Sequence, residues 1–180
     1  MSSTLKSCLK RDVVTIAEGR NLGRPTDIVI DPERHAASLV VLARGNVPDS
    51  TLFVAASAVR SFDTDTLAID TLNSLRIAAT DDAALALLEK GLKFRGQPLI
   101  DSQGRKLGRI VQVRFDENGN VVQYVARRGA LGWIKPRSKI DPSQLGTAGG
   151  EMAVMRDSAQ PEPPLSLPPS SENPELPPGE

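Results

Sequence analysis

Few side chains in this sequence are of a type and spacing that could break or form covalent bonds. There is one histidine, His35, and one cysteine, Cys8. Nucleophilic catalysis needs a hydroxyl or thiol beside a base, and a metal site needs several His, Cys or carboxylate ligands close together. His35 falls in an expected turn and reads as an exposed bystander. Cys8 has no histidine near it and reads as a small, partly buried thiol. Asp81 and Asp82 suit the start of a helix, and Asp63 and Asp65 read as loop acids. The Gly-x-x-Leu-Gly spacing at 19–23 and 104–108 lacks the Gly-Lys-Ser/Thr ending of a phosphate loop and runs into an expected strand. These readings give no catalytic residue, no metal and no cofactor. The sharper signal is positive charge: Arg127, Arg128, Lys135, Arg137 and Lys139 lie close to Tyr124 and Trp133. Cations beside aromatics could hold a phosphate backbone. The same charge could instead face an acidic protein surface, an anionic membrane or the chain's own acidic end, or serve solubility. Trp133 reads as core more than as a stacking platform.

The elements that must position those residues come in two copies. Gly19, Leu22, Gly23, Arg24 and Asp31 recur as Gly104, Leu107, Gly108, Arg109 and Asp116, a shift of 85 positions. An internal repeat of this kind points to one structural unit used twice. In the first copy, residues 13–16, 26–31, 38–43, 51–55 and 66–70 read as short strands between turn residues. The run 38–43 is apolar throughout and is expected to be buried on both sides. In the second copy, 97–101, 107–116 and 121–127 are strands, with an Asn-Gly hairpin turn at 118–119. Trp133-Ile134-Lys135 is matched to Phe53-Val54-Ala55, a shift of 80 attributed to a shorter connecting loop, and 152–155 closes the unit. Gly19 and Gly104 read as turn glycines. Gly23 and Gly108 are expected at or inside the long strand, where glycine permits the bend a small closed barrel needs.

Between the copies, residues 80–91 read as a helix, with Thr80 as N-cap, a Leu85, Leu88, Leu92 stripe and Gly91 as its stop. So short a helix must pack on one or both β units, and is expected to connect them. Residues 1–10 are polar, and are expected to fray unless Leu5 and Leu9 pin them. From 159 onward Pro, Ser and Glu replace the large apolar residues, so the segment is expected to be a disordered tail. The Pro161 to Pro164 PxxP spacing arises by chance in such a composition.

Composition limits what these units can be. Hydrophobic residues make up 39% but aromatics only 3%, so the core must be built from Val, Ile and Leu. Net charge is zero overall, yet residues 94–155 carry ten basic against five acidic side chains. Residues 156–180 carry one basic against five acidic. One cysteine allows no intrachain disulfide and suits a reducing compartment. No signal-peptide pattern opens the chain, and the longest apolar run, 39–43, falls far short of the ~20 residues of a membrane span. A cytoplasmic protein is the expectation.

The frame Pro98-Leu-Ile-Asp-Ser-Gln-Gly-Arg-Lys-Leu-Gly-Arg-Ile-Val-Gln-Val-Arg-Phe-Asp-Glu-Asn-Gly-Asn120, followed by Trp133-Ile-Lys-Pro-Arg-Ser-Lys-Ile140, resembles the PRC-barrel family. Similar barrels occur in the photosynthetic reaction-centre H subunit and in a ribosome maturation factor. The resemblance is strong over 94–155 and weaker over 9–72. It departs from the H subunit in having no membrane-spanning helix, and from the maturation factor in that both units look PRC-like. It implies an all-β fold of two tandem barrels, at 1–79 and 93–156, joined by a helix at 80–92 and followed by the tail at 157–180. It also implies a non-enzymatic adaptor docked on a larger assembly through protein contacts. An RNA- or ribosome-associated maturation role, or a peripheral place in a photosynthetic complex, are the alternatives. The shared residues are turn glycines, core aliphatics and strand ends, which specify a barrel and not a partner.

Overall fold

The structure, a computed structural model, describes residues 2–90, 94–127, 137–147 and 152–156. The fold is mostly β, in curled sheets. The chain opens with β1 (Ser3–Thr4) and a single helical turn, α1 (Leu5–Cys8). The first half then supplies β2 (Val13–Thr15), β3 (Asp27–Asp31), β4 (Ala36–Ala43), β5 (Leu52–Ala55), β6 (Leu67–Ile69) and β7 (Leu75–Ile77), followed by α2 (Asp82–Glu89). The second half supplies β8 (Pro98–Ile100), β9 (Lys106–Phe115), β10 (Val121–Arg127), β11 (Arg137–Ile140), β12 (Leu145–Thr147) and β13 (Ala153–Met155). Residues 157–180, expected to be a tail, lie outside the described residues, as does residue 1.

The halves share a meander and a parallel pair, while β7, which pairs with β5, has no counterpart on β11 among the described residues. β3, β4 and β5 form an antiparallel meander, as do β9, β10 and β11. β2 pairs in parallel with β6, as β8 does with β13. A 3₁₀ turn follows β5 at Ala56–Ala58 and follows β11 at Pro142–Gln144. The long strand, however, is whole only in the second half. There Ile110 N donates to Gln97 O at 2.9 Å, keeping β8 on β9. Pro25 holds the place of Ile110 in the repeat and has no N–H to give. β3 therefore starts only at Asp27, and Gly23, expected at or in that strand, sits in the loop before it with φ +87°.

Pairing corrects one match within the repeat. Val41 faces Phe53 across β4 and β5, and Val125 faces Lys139 across β10 and β11. The counterpart of Phe53 is thus Lys139, not Trp133, which lies outside the described residues. Nor is the interval between these strands the shorter one: positions 128–136 separate β10 from β11, against 44–51 between β4 and β5.

The helix does not bridge two β units. Ala84, Leu85, Leu87 and Leu88 of α2 pack with Ala78 on Val29, Leu39, Val41 and Phe53, the outer face of the first sheet. Val40, between Leu39 and Val41, points into the main core instead. That is why β4 is apolar at consecutive positions, as its sequence suggests. The N-cap is Asp81, whose carboxylate accepts from Ala84 N at 3.0 Å; the Thr80 hydroxyl instead donates to Ile77 O. Gly91 and Leu92 lie outside the described residues.

The main core is common to both halves. It joins Val13, Ile28, Ile30, Val54, Phe62 and Leu67 to Phe94, Leu99, Ile110, Phe115, Tyr124 and Ile140. The two hairpin turns interlock: Val121 N donates to His35 O at 2.7 Å, and Ala37 N donates to Gly119 O at 2.8 Å. Phe62 N donates to Glu117 O, and the Phe62 ring lies 5.9 Å from that of Phe115. The first residues are not frayed either. β1 pairs with β9 at Arg114 and Phe115, and Ser3, 4% exposed, donates to Asp63 while accepting from Arg11.

Candidate functional site

A groove of about 490 Å³ runs between the opening residues and the middle of β9. β9 carries β8 along one end and β1 at Arg114 and Phe115, so residues 110–113 lie between two partners. Beneath the groove Leu5, Ile110 and Val113 are buried in the main core, and Val111 is half-buried. Among the described residues its cations are Lys6, Arg95, Arg109 and Arg127, and no carboxylate lines it.

Backbone pairing brings these cations together from four segments. Gly96 N donates to Ile110 O at 2.7 Å, which ties Arg95 to β9. Arg109 Nη1 donates to Gly96 O at 3.1 Å, so its guanidinium reaches toward Arg95. Arg127 faces Arg109 in the β9–β10 ladder. All four side chains are exposed. Among the described residues, the arginines in ion pairs are Arg24, Arg34, Arg44, Arg60, Arg76 and Arg105. None lines the groove. Like charges gathered without counter-charge repel one another, and an anion relieves that repulsion.

Of the five cations singled out in the sequence, Arg127 lines the groove. Lys139 is exposed on β11 opposite Val125, and Arg137 holds the register position opposite Arg127. Arg128 and Lys135 lie outside the described residues. Sequence proximity missed Lys6, Arg95 and Arg109. The basic excess over 94–155 was a signal for the last two, but nothing local marks Lys6. Tyr124 is no platform for a base: it is fully buried, its ring stacked on Phe94 at 5.7 Å, and burial pushes its phenol pKa up.

His35 is not an exposed bystander. It is half-buried at the junction of the halves, with Nδ1 3.0 Å from the Tyr124 hydroxyl and a left-handed φ of +49°. Burial lowers its pKa from the ordinary 6.5, and Arg156 lowers it further. Cys8 is fully buried, which raises its pKa and keeps it a thiol. Asp63 is held below the usual carboxylate range, chiefly by the hydrogen bond from Ser3. Among the described residues no three His, Cys, Asp or Glu side chains are grouped to hold a metal.

The glycines of the repeat include a pair with left-handed backbone. Gly19 and Gly104 have φ of +62° and +77°. Gly108 lies in β9 opposite Leu99, where the ladder shifts register before Ile100 meets Lys106. A bulge of this sort bends a strand.

No protein-family model matches the chain, and no curated protein matches it in sequence. Among the described residues no helix is long and apolar enough to cross a membrane.

Proposed function

We propose that the chain is a tandem pair of PRC-type barrels acting as a non-enzymatic adaptor, which docks an acidic protein partner on the outer face of its second half. One observation carries the reading. Val29, Leu39, Val41 and Phe53 form an apolar face covered by α2, whereas their counterparts by register are Arg114, Gln123, Val125 and Lys139. That second face is polar, is bordered by Arg109 and Arg127, and has no helix on it among the described residues. A partner with carboxylates could occupy on the second sheet the place that α2 takes on the first.

The runner-up reading is an RNA- or ribosome-associated role, favoured by the four groove cations without ion-paired acids. Against it stands the burial of Tyr124 and Phe94, which keeps these two rings from stacking on single-stranded bases. Affinity capture with the full chain, compared with the same chain carrying Arg127→Glu and Lys139→Glu, tests the adaptor reading. The expected result is a protein retained by the first and lost from the second. If both retain the same proteins, the face is not the docking surface. A mobility shift with mixed RNA at low salt, abolished by the same substitutions, would favour the runner-up.

A further inference from the structure

We infer that the groove between β9, Gly96 and the chain's first residues binds the chain's own acidic segment, residues 157–180. The inference goes beyond the adaptor reading and stands without it. Among the described residues four cations line the groove and no acid does, while residues 157–180 contain Asp157, Glu162, Glu172, Glu175 and Glu180 and no Lys or Arg. Leu165, Leu167 and Leu176 are interspersed among those acids, but of the groove's apolar side chains Leu5, Ile110 and Val113 are buried in the core and Val111 is half-buried, so the match is one of charge. Nucleic acid fits the charge, but among the described residues no aromatic ring borders the groove to stack on a base.

The connection is short enough. Arg156 N donates to Gln144 O just after β13, and β13 runs parallel to β8, whose first residue follows Gly96 by two positions. The path from Arg156 back along β8 to Gly96 is on the order of 20 Å, which six to eight extended residues span at ~3.3 Å each. Residues from about 165 onward can then lie in the groove. Tethering holds them there at an effective concentration of about millimolar, so modest contacts suffice. A partner bearing carboxylates would have to displace this segment, which makes the segment a competitor for the groove.

The test uses the full chain with a nitroxide on Ser170→Cys; Cys8 is buried and so is shielded from the label. Amide signals of Leu5, Gly96 and Gln112 should broaden while those of loop 45–50 do not, and the broadening should vanish at high salt. It should also vanish in a chain carrying Arg95→Glu and Arg127→Glu. As a second variant that leaves the fold untouched, Glu162→Gln with Glu172→Gln and Glu175→Gln should weaken it in the same way. Inorganic pyrophosphate added to the labelled chain should restore the groove signals by displacing the segment. Groove signals that are never broadened, or broadening that survives both sets of substitutions, overturn the inference. Shifts on adding pyrophosphate without prior broadening would also overturn it, and would mark a phosphate site instead.

Discussion

The two halves share a three-stranded meander and a parallel pair in the same order, yet treat one face of their sheets in opposite ways. In the first half that face is Val29, Leu39, Val41 and Phe53, closed by α2; in the second it is Arg114, Gln123, Val125 and Lys139. The inner face is alike in both, because both halves contribute it to one core. The lesson is that strand order needs only the inner face and the turns. The outer face is free to differ, and whatever function the molecule has can be placed there without cost to the fold. Phe53 and Lys139 are the sharpest contrast, since their backbones occupy the same place in the repeat.

Exchanging them is the strongest way to break that contrast. Phe53 is fully buried beneath α2. Phe53→Lys removes its ring and forces a charge under the helix, so the loss should be at least the ~3–5 kcal/mol of a buried Phe→Ala. Chemical denaturation should show it, with protection of the α2 amides from hydrogen exchange lost first. If α2 stays protected, the helix is not held by this face.

The glycines separate what the repeat shares from what joins the halves. Gly104 and Gly119 both have left-handed φ, at +77° and +85°. An added Cβ at Gly104 meets nothing within 4 Å, whereas at Gly119 it comes within 2.8 Å of the Phe62 ring. Gly104→Ala should cost the backbone term alone, about 1–2 kcal/mol. Gly119→Ala should cost that plus about 1–3 kcal/mol for displacing Phe62 from a filled core. Equal melting of the two variants would mean that the hairpins are not locked at Phe62.

His35 tests the same junction through pH. Its folded pKa lies below its ordinary 6.5, so the unfolded chain takes up protons first as pH drops. Its contribution is complete above pH 6.5 and is lost as pH falls from there toward the folded value. Tyr124, on the other side of the 3.0 Å contact, stays neutral throughout this window because burial raises its pKa. Asp31 and Asp141 oppose the shift at His35, and Arg156 reinforces it. His35→Asn keeps a residue that tolerates left-handed backbone and removes the titration. It should flatten the denaturation midpoint below pH 6.5 and cost about 1 kcal/mol at neutral pH for the lost hydrogen bond.

A smaller effect checks the start of α2. Asp81→Ala should lower stability by about 1 kcal/mol, while Thr80→Ala should cost a few tenths, because only Asp81 accepts from a free helix N–H. Thermal melts of the two variants give the ranking.

The features legible in the sequence are those set by short-range chemistry. The duplicated turn glycines, the paired hairpin acids Asp31 and Asp116, and the two-sided burial of β4 follow from residue types alone. Asp31 and Asp116 each accept from backbone N–H groups of their own turn, which is why each recurs. What could not be read was set by partners far away in the chain. Ser3 and Thr4 look like an unstructured start until β9 is there to pair with them. His35 looks idle until Tyr124 is folded beside it. The groove is the extreme case, since Lys6, Arg95, Arg109 and Arg127 meet only because β1, β8 and β10 all pair with β9. The match of Trp133 with Phe53 failed for a related reason: residue type was followed across a loop, where only strand pairing keeps the register.

The reverse exchange, Lys139→Phe, should have the smallest effect on stability, and that smallness is informative. Lys139 is exposed, and its neighbour across the ladder, Val125, is already buried at 4% exposure. A phenyl ring at this exposed position leaves no cavity and removes no ion pair among the described residues, so the change should stay within about 0.5 kcal/mol. What should change is surface behaviour. The new ring stands at the exposed position beside the buried Val125, with no helix over it among the described residues, and adds exposed apolar surface that favours association at high concentration. Sedimentation velocity on the full chain would detect the association, and a melt would show stability unchanged. A large loss of stability would mean that the second face is covered by something as α2 covers the first. A monomer as stable as the parent, at every concentration, would mean that the face is too polar around Val125 to present a patch at all.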